Sequence, residues 1–134
     1  MSQKNVDQLY REILDAWNRG DVEYIVDRAA DDVVIDTTLA GVEGSHNFRG
    51  HEGIRRWWSE YHDVFPDWHA ELLTLRAIGE STVAELRVTG HGRGSGAPVD
   101  WTMWHVVHWR DGKSTHISPH DTEAEALEAV GLSE

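Results

Sequence analysis

Two β-type runs joined by Asp111-Gly112 constrain this chain more than any other feature. Residues 99–110 and 113–119 carry β-branched and aromatic side chains at alternating positions. An Asp-Gly pair between such runs favours a two-residue type I′ turn, which forces them into an antiparallel pair of defined register. Arg110 then faces Lys113, and counting back sets Trp109 opposite Ser114, Val107 opposite His116, His105 opposite Ser118, and Met103 opposite His120. Side chains alternate across a sheet, so Trp101, Met103, His105, Val107, Trp109, His116 and His120 are expected on one face. Thr102, Trp104, Val106, His108, Thr115 and Ile117 fall on the other.

Upstream the period changes. Val6, Leu9, Tyr10, Ile13, Leu14 and Trp17 form one stripe of an amphipathic helix, ended by Asn18-Arg19-Gly20. Asp21 is placed to cap a shorter helix over about 21–29, with Val22, Ile25 and Val26 on its buried side. Val33-Val34-Ile35-Asp36 reads as a strand. Residues 37–50 show no period and are expected to form a loop at the rim of a pocket. A third helix follows, with Ile54, Trp57, Trp58, Tyr61, Val64 and Phe65 at helical spacing and Pro66 as its stop. Further strands are expected at about 67–77 and 81–91. Thr122 with Glu125 forms a capping box for a terminal helix ended by Gly131. Three helices followed by a run of antiparallel strands is an α+β order, one domain over residues 1–134, with the helices covering one face of a curved sheet.

Composition narrows the partners. The 134 residues hold no cysteine, which excludes disulfides, thiolate metal sites and a cysteine nucleophile. Twelve basic against 24 acidic residues give a formal charge of −12, a field that repels nucleic acid and anionic membranes. The N-terminal stretch lacks the pattern of a secretory signal, and no apolar run approaches the ~20 residues of a membrane span, so a cytoplasmic location is expected. Seven tryptophans and nine histidines suit a semi-polar cavity.

Four motifs in order, AWNRGDVEYIVDRAADDVVID at 16–36, FRGHEGIRRWWSEYHDVFPDW at 48–68, RDGK at 110–113 and EALEAVGL at 125–132, resemble the SnoaL-like branch of the NTF2-like superfamily. That resemblance implies an NTF2-like cone: a six-stranded curved sheet wrapped by three N-terminal helices, a short C-terminal helix, an internal pocket, and dimerisation through the open sheet face. Relatives include polyketide cyclases, ketosteroid isomerase, limonene epoxide hydrolase and scytalone dehydratase, besides members that only bind or dimerise, so fold alone does not name a reaction. The resembling cyclases carry a histidine at the position of His105 and a catalytic carboxylate near the end of the following strand. At the ungapped position of that carboxylate this chain has Pro119, and Asp121 replaces it only if a bulge shifts the register. Asp36 stands where ketosteroid isomerase carries its general base.

The candidate catalytic residues are therefore Asp36, His105, His116, His120 and Asp121. An apolar wall raises a carboxylate's pKa and an imidazole titrates near neutrality, so Asp36 with His105 or His116 suits shared acid and base roles. An Asx turn is the structural alternative for Asp36. Candidate ligand-binding residues are Trp17, Trp58, Tyr61, Trp101, Met103 and Val107, whereas Trp57 and Phe65 read as core filler. Aromatic walls favour a small, flat, largely apolar ligand. A divalent metal held by histidines and Asp36 is disfavoured, because no HxxxH helix pair or His-x-His strand pair preorganises two ligands, and no cofactor is expected. Gly92, Gly94 and Gly96 lie between strands and make no phosphate loop. The expected function is a cofactor-independent cyclase, isomerase, dehydratase or hydrolase acting on a small cyclic metabolite. The alternative is a non-catalytic binding or dimerisation module. A homodimer is expected through an apolar strip of Trp104, Val106 and Ile117.

Overall fold

The computed structural model describes residues 3–37 and 47–131. Helix α1 (Gln3–Arg19) buries Val6, Tyr10, Ile13 and Trp17, the stripe expected from their spacing, and stops at Gly20, which adopts φ 83°. Helix α2 (Val22–Asp27) opens on Asp21, whose carboxylate accepts the Tyr24 backbone N–H at 3.3 Å. Strand β1 (Ala29–Asp36) begins four residues earlier than its β-branched run, because the backbone at Ala29 pairs with Ser114 although Ala-Ala-Asp-Asp shows no alternation. Within the expected loop a short strand, β2 (Asn47–Arg49), pairs with β1 and sinks Phe48 into the core. The remainder of that loop, 38–46, lies outside the described residues.

Helix α3 (Gly50–Val64) follows, then strands β3 (His69–Ile78), β4 (Ser81–His91), β5 (Pro98–Arg110) and β6 (Lys113–His120), and helix α4 (Glu123–Ala129). Among the described residues the strands form one curved sheet in the order β2-β1-β6-β5-β4-β3, with β1 and β6 parallel and every other neighbouring pair antiparallel. Helix α1 packs on β3 and β4 and α3 on β1 and β2, so the N-terminal helices cover the concave face. Thr122 caps α4 by accepting the Glu125 backbone N–H at 3.2 Å.

The hairpin turn forms as its residues dictate: Asp111 and Gly112 both take positive φ, 54° and 79°, and Arg110 pairs with Lys113 and Trp109 with Ser114. The expected register breaks one residue later. A bulge leaves Thr115 unpaired, its hydroxyl donating to the His108 carbonyl at 3.2 Å. Beyond it His108 faces His116, Val107 faces Ile117, Val106 faces Ser118, His105 faces Pro119 and Trp104 faces His120. Every side chain of β6 from His116 onward thus exchanges faces. Ile117 and Pro119 turn inward, and His116 and His120 turn outward, the reverse of the uninterrupted count. Ile117 sits beside Val107 and, on β1, Ile35, each at most 1% exposed. Burying this apolar contact in the main core while placing His116 and His120 on the opposite face, where Ser118 meets the buried His120, decides the register.

The exchange also removes the expected apolar strip. Trp104 and Val106 do lie on the outer face, but α4 covers them: Ala126 and Val130 pack with Val83, Val106, Ile78 and Trp104 in a second, smaller apolar cluster. Ile117 belongs to the main core on the opposite face. The rest of the outer face on β3–β5 is polar, with Arg87 held by Asp100 at 2.7 Å and Thr74 donating to Glu85 at 3.2 Å.

Candidate functional site

Between the helices and the sheet lies a cavity of about 60 Å³. Helix α1 contributes Tyr10 and Trp17, seven residues apart and so on one face, and α3 contributes Trp57 and Tyr61, one turn apart. The sheet contributes Met103 and His105 from β5, and Trp68 sits just ahead of β3. The helical wall is a continuous aromatic surface. Trp17 and Trp57 lie 4.6 Å apart at 53°, Trp57 and Tyr61 6.1 Å apart at 70°, and Tyr61 and Trp68 5.2 Å apart at 63°. These tilted and edge-on arrangements are the ones aromatic quadrupoles favour.

His105 is the polar centre of this wall. Its Nδ1 lies 3.2 Å from the Tyr10 hydroxyl, and its ring stacks at 26° on Trp57. The Tyr10 hydroxyl has no other hydrogen-bond partner among the described residues, and burial drives its pKa upward, so it keeps its proton. A buried O–H is satisfied by donating, so the proton goes to Nδ1 and the ring's own proton resides on Nε2. His105 is partly buried and lines the cavity. Burial, seconded by His120, pushes its pKa down to about 4. At neutral pH it is therefore an uncharged N–H donor. Among the described residues the indole N–H of Trp17 has no acceptor, and that of Trp57 lies toward the Tyr61 hydroxyl without closing a normal hydrogen bond.

Of the residues picked out from sequence, Trp17, Tyr61, Met103 and His105 line the cavity. Trp58 does not: it stacks on His62 at 3.9 Å on the outer side of α3 and donates to the Trp17 carbonyl at 3.4 Å. Trp57, read as core filler, takes its place. Val107 is fully buried in the core beside the cavity, and Trp101 stands at its rim, 38% exposed. The other four catalytic candidates lie elsewhere. Asp36 follows Val34, the partner of His116, by two residues and so lies on the outer face, where its charge acts on His120. Asp121 is exposed beyond the end of β6, so the bulge does not bring it into the cone.

His116 and His120 join His108 beneath α4. His120 bonds Ser118 at 2.8 Å, His108 bonds Ser81 at 2.8 Å, His108 and His116 rings lie 5.7 Å apart, and His116 Nδ1 has no partner among the described residues. Burial lowers the pKa of both His108 and His120; for His120, Glu125 and Asp36 oppose the shift. Among the described residues no three such groups converge to hold a metal ion. Tyr10, Trp57 and Trp68 were missed as cavity residues. Tyr10 was legible, since it shares the α1 stripe with Trp17. Trp68, beyond the helix stop at Pro66, carried no periodic signal.

A family model for the SnoaL-like domain matches residues 10–117. The chain belongs to the SnoaL-like family. Solved structures of the NTF2-like kind agree in fold. An NTF2-like protein of unknown function from Burkholderia pseudomallei superposes with a TM-score of 0.78 at 18% identity, covering 98% of this chain and 100% of that one. A putative polyketide cyclase from Sinorhizobium meliloti gives 0.69 at 22% identity, covering 90% and 100%. TerC, co-crystallised with polyporic acid, gives 0.77 at 15% identity, covering 96% and 99%. No curated protein matches the sequence. Within this SnoaL-like domain, no helix among the described residues is long and apolar enough to cross a membrane.

Proposed function

We propose that this SnoaL-like protein binds a small, largely apolar cyclic molecule in the cone, and that His105 polarises an oxygen on it, as a cyclase, isomerase or dehydratase requires. The single observation that carries this reading is the buried His105–Tyr10 couple, 3.2 Å apart, facing an otherwise aromatic and aliphatic cavity. A neutral imidazole N–H in a water-poor site stabilises a developing oxyanion far better than it would in water. The putative cyclase and the polyporic acid complex among proteins of like fold support a ligand of this general kind.

The test follows exchange of α-hydrogens in cyclic ketones and enones in D2O by NMR. With deuteroxide or buffer base from solvent taking the α-proton while the His105 N–H holds the enolate oxygen, the wild type is expected to accelerate exchange, and His105→Gln to slow it by about 10²-fold, the usual effect of removing an oxyanion donor. An unchanged rate in His105→Gln removes His105 from the reaction. A second reading, binding without catalysis, is favoured by one observation: among the described residues no carboxylate lines the cavity, and His105 is a weak base. Ketones that bind, shifting the Met103 methyl resonance, yet exchange no faster than in buffer support this second reading.

A further inference from the structure

The aromatic wall does not end with the cavity. From Trp68, 8% exposed, it continues to Trp101, 38% exposed, at 5.4 Å and 74°, and Phe65 closes the triangle at 5.5 Å from Trp68 and 6.2 Å from Trp101. Trp101 is two residues ahead of Met103 on β5 and opposite Val88, so it lies on the cavity's own side of the sheet, one pleat further out. The ring path Trp17, Trp57, Tyr61, Trp68, Trp101 thus runs without a break from the cavity to solvent. The cavity itself is small. At about 60 Å³ it is less than half the roughly 150 Å³ of a cavity that closes around benzene, so a ring entering it already reaches toward the mouth.

We propose that Trp101, with Trp68 and Phe65, forms an outer subsite that binds the second, flat part of a ligand longer than the cavity, making Trp101 a determinant of substrate length. This rests on the reading that the cone is the ligand site, and names the class of molecule it takes: an elongated, two-part aromatic or polycyclic compound, with one ring inside against His105 and another at the mouth. Large apolar rings at a surface are otherwise unfavourably hydrated, and continuity with the cavity supplies the occupant. The ring-on-ring geometry available at the mouth, edge to face, suits a further aromatic group.

The experiment uses phenol as the short probe and biphenyl-4-ol as the long one, titrated into the full chain and read from the Met103 methyl resonance. The chain has two methionines, so the cavity signal is identified at once. The wild type is expected to bind biphenyl-4-ol at least tenfold more tightly than phenol. Trp101→Ala is expected to abolish most of that difference while leaving phenol unchanged, and Leu73→Ala, also exposed but away from the ring path, to leave both unchanged. Because Trp101 is partly solvated, its truncation leaves the core intact. If the long probe gains nothing in the wild type, or keeps its gain in Trp101→Ala, the outer subsite is wrong while the cone as ligand site stands. If neither probe moves Met103, the cone reading falls and the subsite with it. If Trp101→Ala lowers the sedimenting mass without changing either affinity, the ring packs against a second copy and the assignment is overturned.

Discussion

Trp57 and Trp58 are neighbours in sequence but about 100° apart around α3, and that angle separates a cavity wall from a helix surface. Ile54 and Trp57 are buried and Tyr61 is half-buried against the core, while Trp58 lies over His62 and beside Gly20. Periodicity alone admitted both tryptophans to the apolar side, because both fall within the broad stripe that a surface helix presents. Trp57→Ala is expected to destabilise the fold by about 3 kcal/mol or more through loss of contacts and an unfilled void. Trp58→Ala should cost clearly less, since part of its ring is already solvated. Urea denaturation of the two variants compares them directly, and equal losses would contradict the placement of Trp57. His105 was legible from the resemblance to cyclases that carry a histidine at its position, alternation on β5 giving only its face-mates, but its Tyr10 partner, 95 positions earlier, was not, since no local pattern encodes a contact between α1 and the sheet.

At the scale of the element, β6 shows where sequence reading stops. The turn at Asp111-Gly112 was legible because only residues tolerant of positive φ fit a type I′ turn. The bulge at Thr115 was not, since threonine belongs in a regular strand and carries no sign of leaving the ladder. One extra residue moved His116 and His120 to the outer face and brought Ile117 inside, so the proposed alignment of three imidazoles in the cone was lost although the hairpin itself was right. The same extra residue allows β6 to pair with both β5 and β1 with Ile117 between Val107 and Ile35. Deleting Thr115 is expected to force a choice between losing that pairing and turning His116 and His120 into the apolar core, away from Ser118, while Ile117 leaves it. Either outcome costs several kcal/mol. The deletion variant should lose its cooperative thermal transition or melt far below the wild type; a melt within a few degrees would mean that the bulge does not set the register.

For the molecule as a whole, acid acts through two opposing effects. With 24 acidic and 12 basic residues the native chain repels itself at pH 7, and protonating carboxylates relieves that repulsion as pH falls. The histidines act the other way. His105, His108 and His120 all have pKa values lowered in the folded state, with burial as the leading cause, while in the unfolded chain they titrate near ~6.5. Above that value both states hold neutral rings and the fold is fully stable. As pH falls through ~6.5 toward 4, the unfolded chain takes up protons that the folded one resists, and stability is lost. For His105, brought down to about 4, the loss is on the order of 3 kcal/mol when the window has been crossed. His108 and His120 add to it beneath α4, where protonation sets positive charge beside His116 with Glu125, Asp36 and Asp121 as the counterweight. Salt separates the two effects, because it screens surface repulsion much more than it screens a buried imidazole. In 0.5 M salt, a condition chosen to compress the Debye length to about 4 Å, urea midpoints are expected to fall steadily between pH 7 and 4.5, and His105→Gln to flatten the slope by removing its largest single contributor. A wild-type midpoint that holds constant across this range would mean that these rings accept protons in the folded state as readily as in the unfolded one, and that His105 is not the uncharged donor on which the proposed chemistry depends.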